Sequence, residues 1–335
     1  MASPTTMKAW QFNAIASTLE KSMTFNPKAT PPTAPKNDQT MVEVVTMAIN
    51  PVDYKFVEVP VAGRMMIKRP ASPGLDYCGR VVSSGKSSLK PGQLVFGRLD
   101  LPIQFGTLAQ YTVTPAAGTV PVPDGLSPGD AASIGTAGLT AYQCIVPNVK
   151  GGDNVFINGG SGGTGIFGIQ IAKTLGCRVT TSCSTVNVEL CKSLGADEVI
   201  DYKSADVVKA LSEGGTQYDL VVDNVGSPAD LYSSSHHFLQ PRGKFVQVGA
   251  DMSLGGMASL VSRMARPGFL GGGKRKFEFV NIANKAQDFE QLAAWMAEGK
   301  IKTVIDQAFA FEDAPKAFEK LRTGRAKGKI IVNVS

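Results

Sequence analysis

The stretch from Asp153 to Lys173 reads as a strand, a glycine loop and a helix, and it constrains the fold more than any other part of the chain. Asn154-Val155-Phe156-Ile157-Asn158 is a short apolar run with β-branched and aromatic residues, the pattern of a strand buried in a parallel sheet. Gly160-Ser161-Gly162-Gly163-Thr164-Gly165 follows at once and fits the spacing Gly, one residue, Gly, two residues, Gly. From Ile166 to Lys173 apolar residues recur at helical spacing. The first glycine permits a tight turn, the second lets backbone approach a pyrophosphate, and the third allows close helix–strand packing. Free N–H groups at the helix start then face the anion. A purely structural glycine turn is the alternative. The strand before and the helix after favour the nucleotide reading, because the motif needs both.

Further strands follow at 178–182, 198–201, 218–223 and 244–248, with helices between them and a sixth strand near 276–282. That alternation predicts an α/β protein with a Rossmann, doubly wound parallel sheet. The chain before it is different. Met41 to Ile49, Cys78 to Val82, Leu94 to Phe96 and Leu108 to Val113 read as strands punctuated by glycine and proline, which predicts a compact β-rich domain. A more helical passage begins at Leu126 and includes Asp130 to Ile145. After a helix from about 285 to 298, the tail ends in a strand, Lys329 to Val334, that returns to the first domain. The β-rich domain is therefore discontinuous, 1–125 with 284–335, and 126–283 forms the dinucleotide-binding domain. With 335 residues the chain has room for both.

Composition excludes several classes. No apolar run is long enough to span a membrane, and the N-terminus lacks an apolar signal segment, so a cytoplasmic protein is expected. The net charge of +6 favours anionic ligands, but the basic residues are dispersed, so no nucleic-acid partner is expected. Lys274-Arg275-Lys276 is the one local cluster; it reads as a solvated loop or as a group facing a cofactor phosphate. Cys78, Cys144, Cys177, Cys183 and Cys191 are odd in number and lack framework or zinc-lobe spacing, which predicts reduced thiols. His236 and His237 are adjacent, and neighbouring helix residues point about 100° apart, so they make a poor metal pair. No metal site is expected.

The cofactor reading turns on the end of the second strand, where an acidic residue would grip a ribose 2′-hydroxyl. Thr180-Thr181-Ser182-Cys183-Ser184-Thr185 stands there, and no carboxylate appears before Glu189. Ser182 and Ser184 can hydrogen-bond a 2′-phosphate, with helix capping as their alternative role. Lys203, beside Tyr202 at the end of the third strand, is the best cation. NADPH is therefore favoured over NADH. Asn224, in Asp223-Asn224-Val225-Gly226, and Val248 and Gly249, before Ala250, end the fourth and fifth strands and should flank the ribose and nicotinamide.

Pro73 to Val82, then Gly85, then Pro91 to Gly97, resembles the N-terminal signature of medium-chain dehydrogenases/reductases. Gly106 to Tyr111, Gly138-Leu139-Thr140-Ala141-Tyr142 and Leu194 to Tyr202 are similar to the same family, in the same order. The resemblance implies a GroES-like catalytic domain joined to a Rossmann domain, with the cofactor in the cleft between them. Zinc alcohol dehydrogenases carry a cysteine near the Asn50 region, a Gly-His-Glu triplet, and a second cysteine before the Gly-x-Thr-Ala-Tyr segment. Here Asn50-Pro51-Val52-Asp53, Gly74-Leu75-Asp76 and Gly135-Thr136 stand at those places. The chain thus resembles the zinc-free quinone oxidoreductase and enoyl reductase branch. Arg266 to Lys276 and Gly324 to Lys329 are similar to reticulon-interacting reductases and fungal relatives. Asn50 to Lys55 is similar to fungal trans-acting enoyl reductases that serve polyketide synthases.

The resemblance implies hydride transfer from NADPH to a conjugated carbonyl or a quinone, acceptors that spread the developing charge without a metal. Thr140 would orient the nicotinamide amide, and Asn50, Tyr54 and Lys55 are the candidates for enolate hydrogen bonding or protonation. Tyr54 and Lys55 carry transferable protons; Asn50 can only hydrogen-bond. A turn role for Asn50, a solvated surface role for Lys55 and direct protonation by solvent stay open. Two further readings differ in function: a pathway enzyme acting on a dedicated or carrier-bound intermediate, possibly non-redox, with a carrier protein as partner, and an RNA-binding or structural member of the fold. The sixth strand, at a sheet edge, predicts a homodimer.

Overall fold

The computed structural model describes residues 5–59, 66–85, 87–249 and 274–335. Ala250 and the Arg266 to Gly273 part of the family resemblance lie outside the described residues. The chain divides into two compact units, Met1–Leu139 with Ala283–Ser335, and Thr140–Ile282.

The first unit opens with a hairpin of β1 (Met7–Gln11) and β2 (Thr24–Ala29), with the short α1 (Leu19–Ser22) between them. Then come β3 (Gln39–Ile49), α2 (Pro51–Glu58), β4 (Asp76–Ser84), β5 (Leu94–Arg98), β6 (Tyr111–Pro115), β7 (Thr119–Pro121) and α3 (Pro128–Ser133). The second unit holds most of α4 (Leu139–Ile145), then β8 (Asn154–Asn158), α5 (Gly163–Thr174), β9 (Arg178–Cys183), α6 (Val188–Ser193) and β10 (Glu198–Asp201). It continues through α7 (Val207–Glu213), β11 (Tyr218–Asp223), β12 (Leu239–Gln247) and β13 (Lys276–Phe279). The chain returns to the first unit with α8 (Ala286–Ala297), β14 (Ile305–Ala310), α9 (Ala314–Arg322) and β15 (Lys329–Asn333).

In the first unit the sheet runs β14-β15-β3-β4-β5-β7, with β6 also on β3. The returning tail is what fixes β15: Ile330 pairs with Ile49 and Val332 with Met47, antiparallel. Alternate residues of β3 (Val42, Val44) point into a core with Val81, Val95, Phe318 and Val332. The predicted strand at Leu108 starts later, at Tyr111, because Leu108 and Gln110 bond sideways to Trp10 and Lys8 of β1.

The second unit has the order β10-β9-β8-β11-β12-β13, with every pairing parallel. Counted within the unit this is 3-2-1-4-5-6, the doubly wound order with its switch point between β8 and β11. Ile166, Phe167, Ile169 and Ile171 of α5 are all buried, as a helix covering such a sheet requires. Among the described strands the sixth, β13, lies at the sheet edge.

The helical passage expected to include Asp130 to Ile145 is broken. Ser127 caps α3, accepting the Asp130 N–H at 3.1 Å, and α3 ends at Ser133. The chain is then non-helical at Gly135 (φ −29°, ψ −105°) before α4 begins. A Cβ on Gly135 would lie 2.3 Å from Asp76 Cγ, so only glycine permits this approach. Residues 126–139, grouped with the nucleotide-binding part in the sequence reading, pack with the first unit, where α3 lies on β3 and β4.

Candidate functional site

The parallel register of the second unit brings the carboxyl ends of its strands to one edge. Asn158 sits opposite Ser182 on one side and Asp223 on the other; Asp223 faces Gln247, and Cys183 faces Asp201. Asn158 braces this edge. Its Nδ2 donates to Asp223 Oδ1 at 2.8 Å and to the Ser227 carbonyl at 2.7 Å, and its Oδ1 accepts from the Ser182 hydroxyl.

The glycine loop is built on that brace. The Gly159 N–H donates to Ser182 Oγ at 3.1 Å and the Gly160 N–H to the Ser182 carbonyl at 2.9 Å. A Cβ on Gly165 would lie 2.2 Å from the Gly159 carbonyl oxygen, so the third glycine lets α5 seat against the loop. Gly162 caps α5, and a Cβ there would meet only the Gly159 oxygen, at 3.5 Å. The loop crest is open, and the first N–H groups of α5, from Gly163 and Thr164, have no partner within the helix. Asn187, which no sequence pattern marked, donates to Ser161 Oγ at 3.1 Å and Ser184 Oγ at 3.2 Å, tying the loop to the end of β9.

On the other side of the switch point, Asp223 Oδ1 accepts the N–H groups of Val225 (3.0 Å) and Gly226 (2.9 Å). Val248 and Gly249 both donate to the Asp223 carbonyl, so the two turns form one surface. Both polar atoms of the Asn224 amide are buried there with no hydrogen-bond partner among the described residues. Such an amide is costly unless a ligand completes it. Open loop crest, helix N-terminus and orphaned amide together fit a nicotinamide dinucleotide. Thr140 is buried near the start of α4.

The end that would meet a 2′-substituent differs in detail from the sequence reading. Ser182 is buried and its hydroxyl is committed to Asn158 and Gly159, so it braces the loop. Ser184 is half-buried, and Tyr202 and Lys203 are exposed, with the ammonium 5.5 Å from the Tyr202 ring centre. A carboxylate does come close. Asp201 accepts from Thr185 Oγ1 at 2.6 Å and from the Lys203 N–H at 2.9 Å, and these bonds, the Thr185 hydroxyl first, hold its carboxyl below the usual range. Sequence reasoning missed Asp201 because it belongs to the third strand, and only β-pairing sets it beside the second.

Lys274 is exposed, but the Arg275 guanidinium donates to the carbonyls of Leu239 (2.7 Å) and His236 (3.1 Å), a structural tie to the start of β12. The rings of His236 and His237 do not diverge; their centres lie 3.9 Å apart, with the planes tilted by 39°, where a short 3-10 turn ends.

The first unit holds the second group of site residues. Asn50, 4% exposed, precedes α2, and its N–H donates to Asp53 Oδ2 at 2.7 Å. Its side chain is engaged at both ends: Nδ2 donates to Asp76 Oδ2 at 2.7 Å, and Oδ1 accepts from the Lys329 ammonium. Asp76 Oδ1 also accepts the Thr136 N–H (2.7 Å) and hydroxyl (2.6 Å). Burial, with the Asp76 charge second, pushes the Asp53 carboxyl up to about 8, and burial pulls the Lys329 ammonium down. Tyr54 and Lys55 follow on α2, both half-buried. Adjacent helix positions diverge: Tyr54 packs on the core with the Arg322 guanidinium 4.2 Å over its ring, so Lys55 serves a different surface.

With this geometry in place, the fold and both sites define an oxidoreductase of the medium-chain dehydrogenase/reductase superfamily, and the chain belongs to that superfamily. Residues 36–124 match the alcohol dehydrogenase GroES-like domain and residues 194–332 the zinc-binding dehydrogenase family. The chain is 51% identical over 346 aligned residues to trans-enoyl reductase pgmF of Aspergillus terreus, covering 99% of this chain and 97% of that one. It is 32% identical to quinone-oxidoreductase QR1, chloroplastic, of Triphysaria versicolor, covering 89% of this chain and 91% of that one. The quinone oxidoreductase of Coxiella burnetii superposes with a TM-score of 0.82 at 28% identity, covering 98% and 99% of the two chains. The chain is therefore an enzyme of this family using a nicotinamide cofactor, NADH or NADPH. No helix among the described residues is long and apolar enough to cross a membrane.

The zinc in that family description does not fit this chain. Where ligands would stand, Asn50 offers an amide already used, Leu75 an alkyl group and Gly135 nothing; the Asp76 carboxylate alone cannot supply the three protein donors a catalytic zinc takes from thiolate, imidazole or carboxylate. Among the described residues no three His, Cys, Asp or Glu side chains converge.

Proposed function

We propose that this chain is an NADPH-dependent, zinc-independent reductase acting on the conjugated double bond of an α,β-unsaturated carbonyl. Its natural substrate is an enoyl intermediate held on a carrier protein. The observation that carries the reading is the cofactor edge of the second unit: an open glycine crest at a helix start with the orphaned Asn224 amide across the switch point. The 51% identity to a trans-enoyl reductase over nearly the whole chain favours the enoyl acceptor. NADPH, when bound, supplies the hydride.

The chain's own groups do the rest. The loop from Gly160 to Gly165 holds the pyrophosphate with its backbone N–H groups. Tyr202, Lys203 and Ser184 receive the 2′-phosphate, the cation and the hydroxyl favouring the anion against the nearby Asp201 carboxylate. Thr140, Asn224, Val248 and Gly249 hold the nicotinamide end in position. Lys55 delivers the proton that the reduced acceptor takes up, because Tyr54 is turned toward Arg322 and the core. Quinones are the second acceptor class, supported by the likeness to quinone oxidoreductases. The enzyme acts in the cytoplasm as a homodimer joined through β13, the last strand of the sheet among the described residues; a monomer by sedimentation at micromolar concentration overturns that assembly.

NADPH oxidation followed by absorbance tests the reading, against enones, enoyl thioesters, quinones and saturated aldehydes, with EDTA present and NADH in parallel. Turnover of conjugated acceptors with NADPH, unaffected by EDTA, is expected. Lys55→Met should lower kcat on the order of 10²-fold. Tight NADPH binding without turnover of any acceptor removes the reductase reading.

A further inference from the structure

Lys329 is the first residue of β15 and is 2% exposed, an expensive place for an ammonium unless charge and hydrogen bonds compensate it. Its Nζ donates to Asn50 Oδ1 and to the Ile49 carbonyl at 3.3 Å, and lies 3.9 Å from Asp76 Oδ2. Asp76 is fully buried, and its side-chain hydrogen bonds among the described residues are with Asn50 and Thr136. These are the segments, around Asn50, Leu75-Asp76 and Gly135-Thr136, where zinc-dependent members of the family place their ligands, and their donors do not fit zinc here. Arg98, paired with Asp76 in the sheet, sends its two terminal nitrogens elsewhere, to Asn284 Oδ1 and the Asp100 carbonyl, and its buried Nε meets no acceptor among the described residues. A fourth group faces the same interior, Asp53, 1% exposed, whose Oδ1 has no partner among the described residues.

We infer that Lys329 is a tethered cation that takes the electrostatic place of the metal, compensating Asp76 and, through Asn50, fixing the start of α2. It is a positioning residue: the ammonium holds the Asn50 amide, the Asn50 N–H holds Asp53, and the next positions of α2 carry Tyr54 and Lys55. The consequence for turnover rests on the reductase reading above; the charge compensation does not.

The test uses the full chain with Lys329→Met, Asp76→Asn and the double variant. Lys329→Met leaves the Asp76 charge buried without the Lys329 cation, its hydrogen bonds from Asn50 and Thr136 remaining, and should lower Tm by about 10 °C. The double variant, with neither charge, should recover most of that loss. Effects of the two substitutions that simply add, no loss in Lys329→Met, or a double variant that fails to fold while Asp76→Asn folds, each overturns the pairing. In the recovered double variant, NADPH should still bind, with kcat lowered about tenfold and KM little changed, since a misplaced donor costs rate more than binding. Full recovery of kcat with stability leaves Lys329 without a positioning role. Zinc content after dialysis closes the case independently of activity: one zinc retained per wild-type chain refutes the inference, and none retained agrees with it.

Discussion

At the scale of single residues, Asp53 shows how burial alone sets chemistry. Its carboxyl is pushed from an ordinary 3.8 up to about 8, first by burial and then by the Asp76 charge, with the Asn50 N–H, Lys329 and Arg98 opposing. The folded protein keeps that proton where the unfolded chain has lost it, so stability from this group is full below about pH 4 and declines as pH rises to about 8. The slope reaches at most about 1.4 kcal/mol per pH unit. Asp53→Asn, which keeps an oxygen for the Asn50 N–H, should flatten the decline and leave the variant more stable than wild type at pH 8. Urea unfolding at pH 5 and pH 8 for both proteins checks it; parallel pH profiles count against a protonated Asp53. Nothing in Asn50-Pro51-Val52-Asp53 announces this, because the sequence shows an acid after a strand and says nothing of the second acid 23 positions on that shares its interior.

Among elements, one guanidinium ties three helices together. Arg322, near the end of α9, bonds both oxygens of Glu20 on α1 (3.0 and 2.8 Å) and both of Glu58 on α2, and lies over Tyr54. The carboxylates hold the guanidinium firmly charged, and Glu20 is nearly buried. Arg322→Ala should cost about 2 kcal/mol, less than a fully buried pair because the arginine is partly in water. A shift in the urea midpoint of that order, with Tyr54 more accessible to quenchers, is expected. An unchanged midpoint would make the network ornamental. Glu20 and Arg322 are 302 positions apart, a distance across which no local pattern carries information. The break at Gly135 is hidden for the same reason: the passage from Asp130 to Ile145 reads as helical, and the Asp76 carboxylate interrupts it.

For the molecule as a whole, the doubly wound sheet converts five separated strand ends into one cofactor edge. A ligand that binds only the folded state stabilises it by RT ln(1 + [L]/Kd), about 2.7 kcal/mol at a hundredfold excess over Kd. NADPH should therefore raise the thermal midpoint by several degrees. Gly165→Val should abolish that rise, since a Cβ there already collides with the Gly159 carbonyl oxygen. Differential scanning calorimetry with and without NADPH decides it; a Gly165→Val protein stabilised like wild type would place the cofactor elsewhere.

The strand–glycine–helix unit, the alternating strands and the returning tail are local or periodic signals, and the chain displays them without help from its fold. Hydrophobic period and glycine spacing act over a few residues, so the sequence alone determines the two kinds of architecture and the cofactor class. The tertiary structure alone decides which side chains meet. It spends Ser182 on the loop and brings Asn187 and Asp201 to the cofactor edge. In the other unit it encloses Asp53, Asp76 and Lys329 around Asn50. Those meetings depend on strand pairing and burial between segments far apart in the chain, and charge is perturbed only once water has been removed.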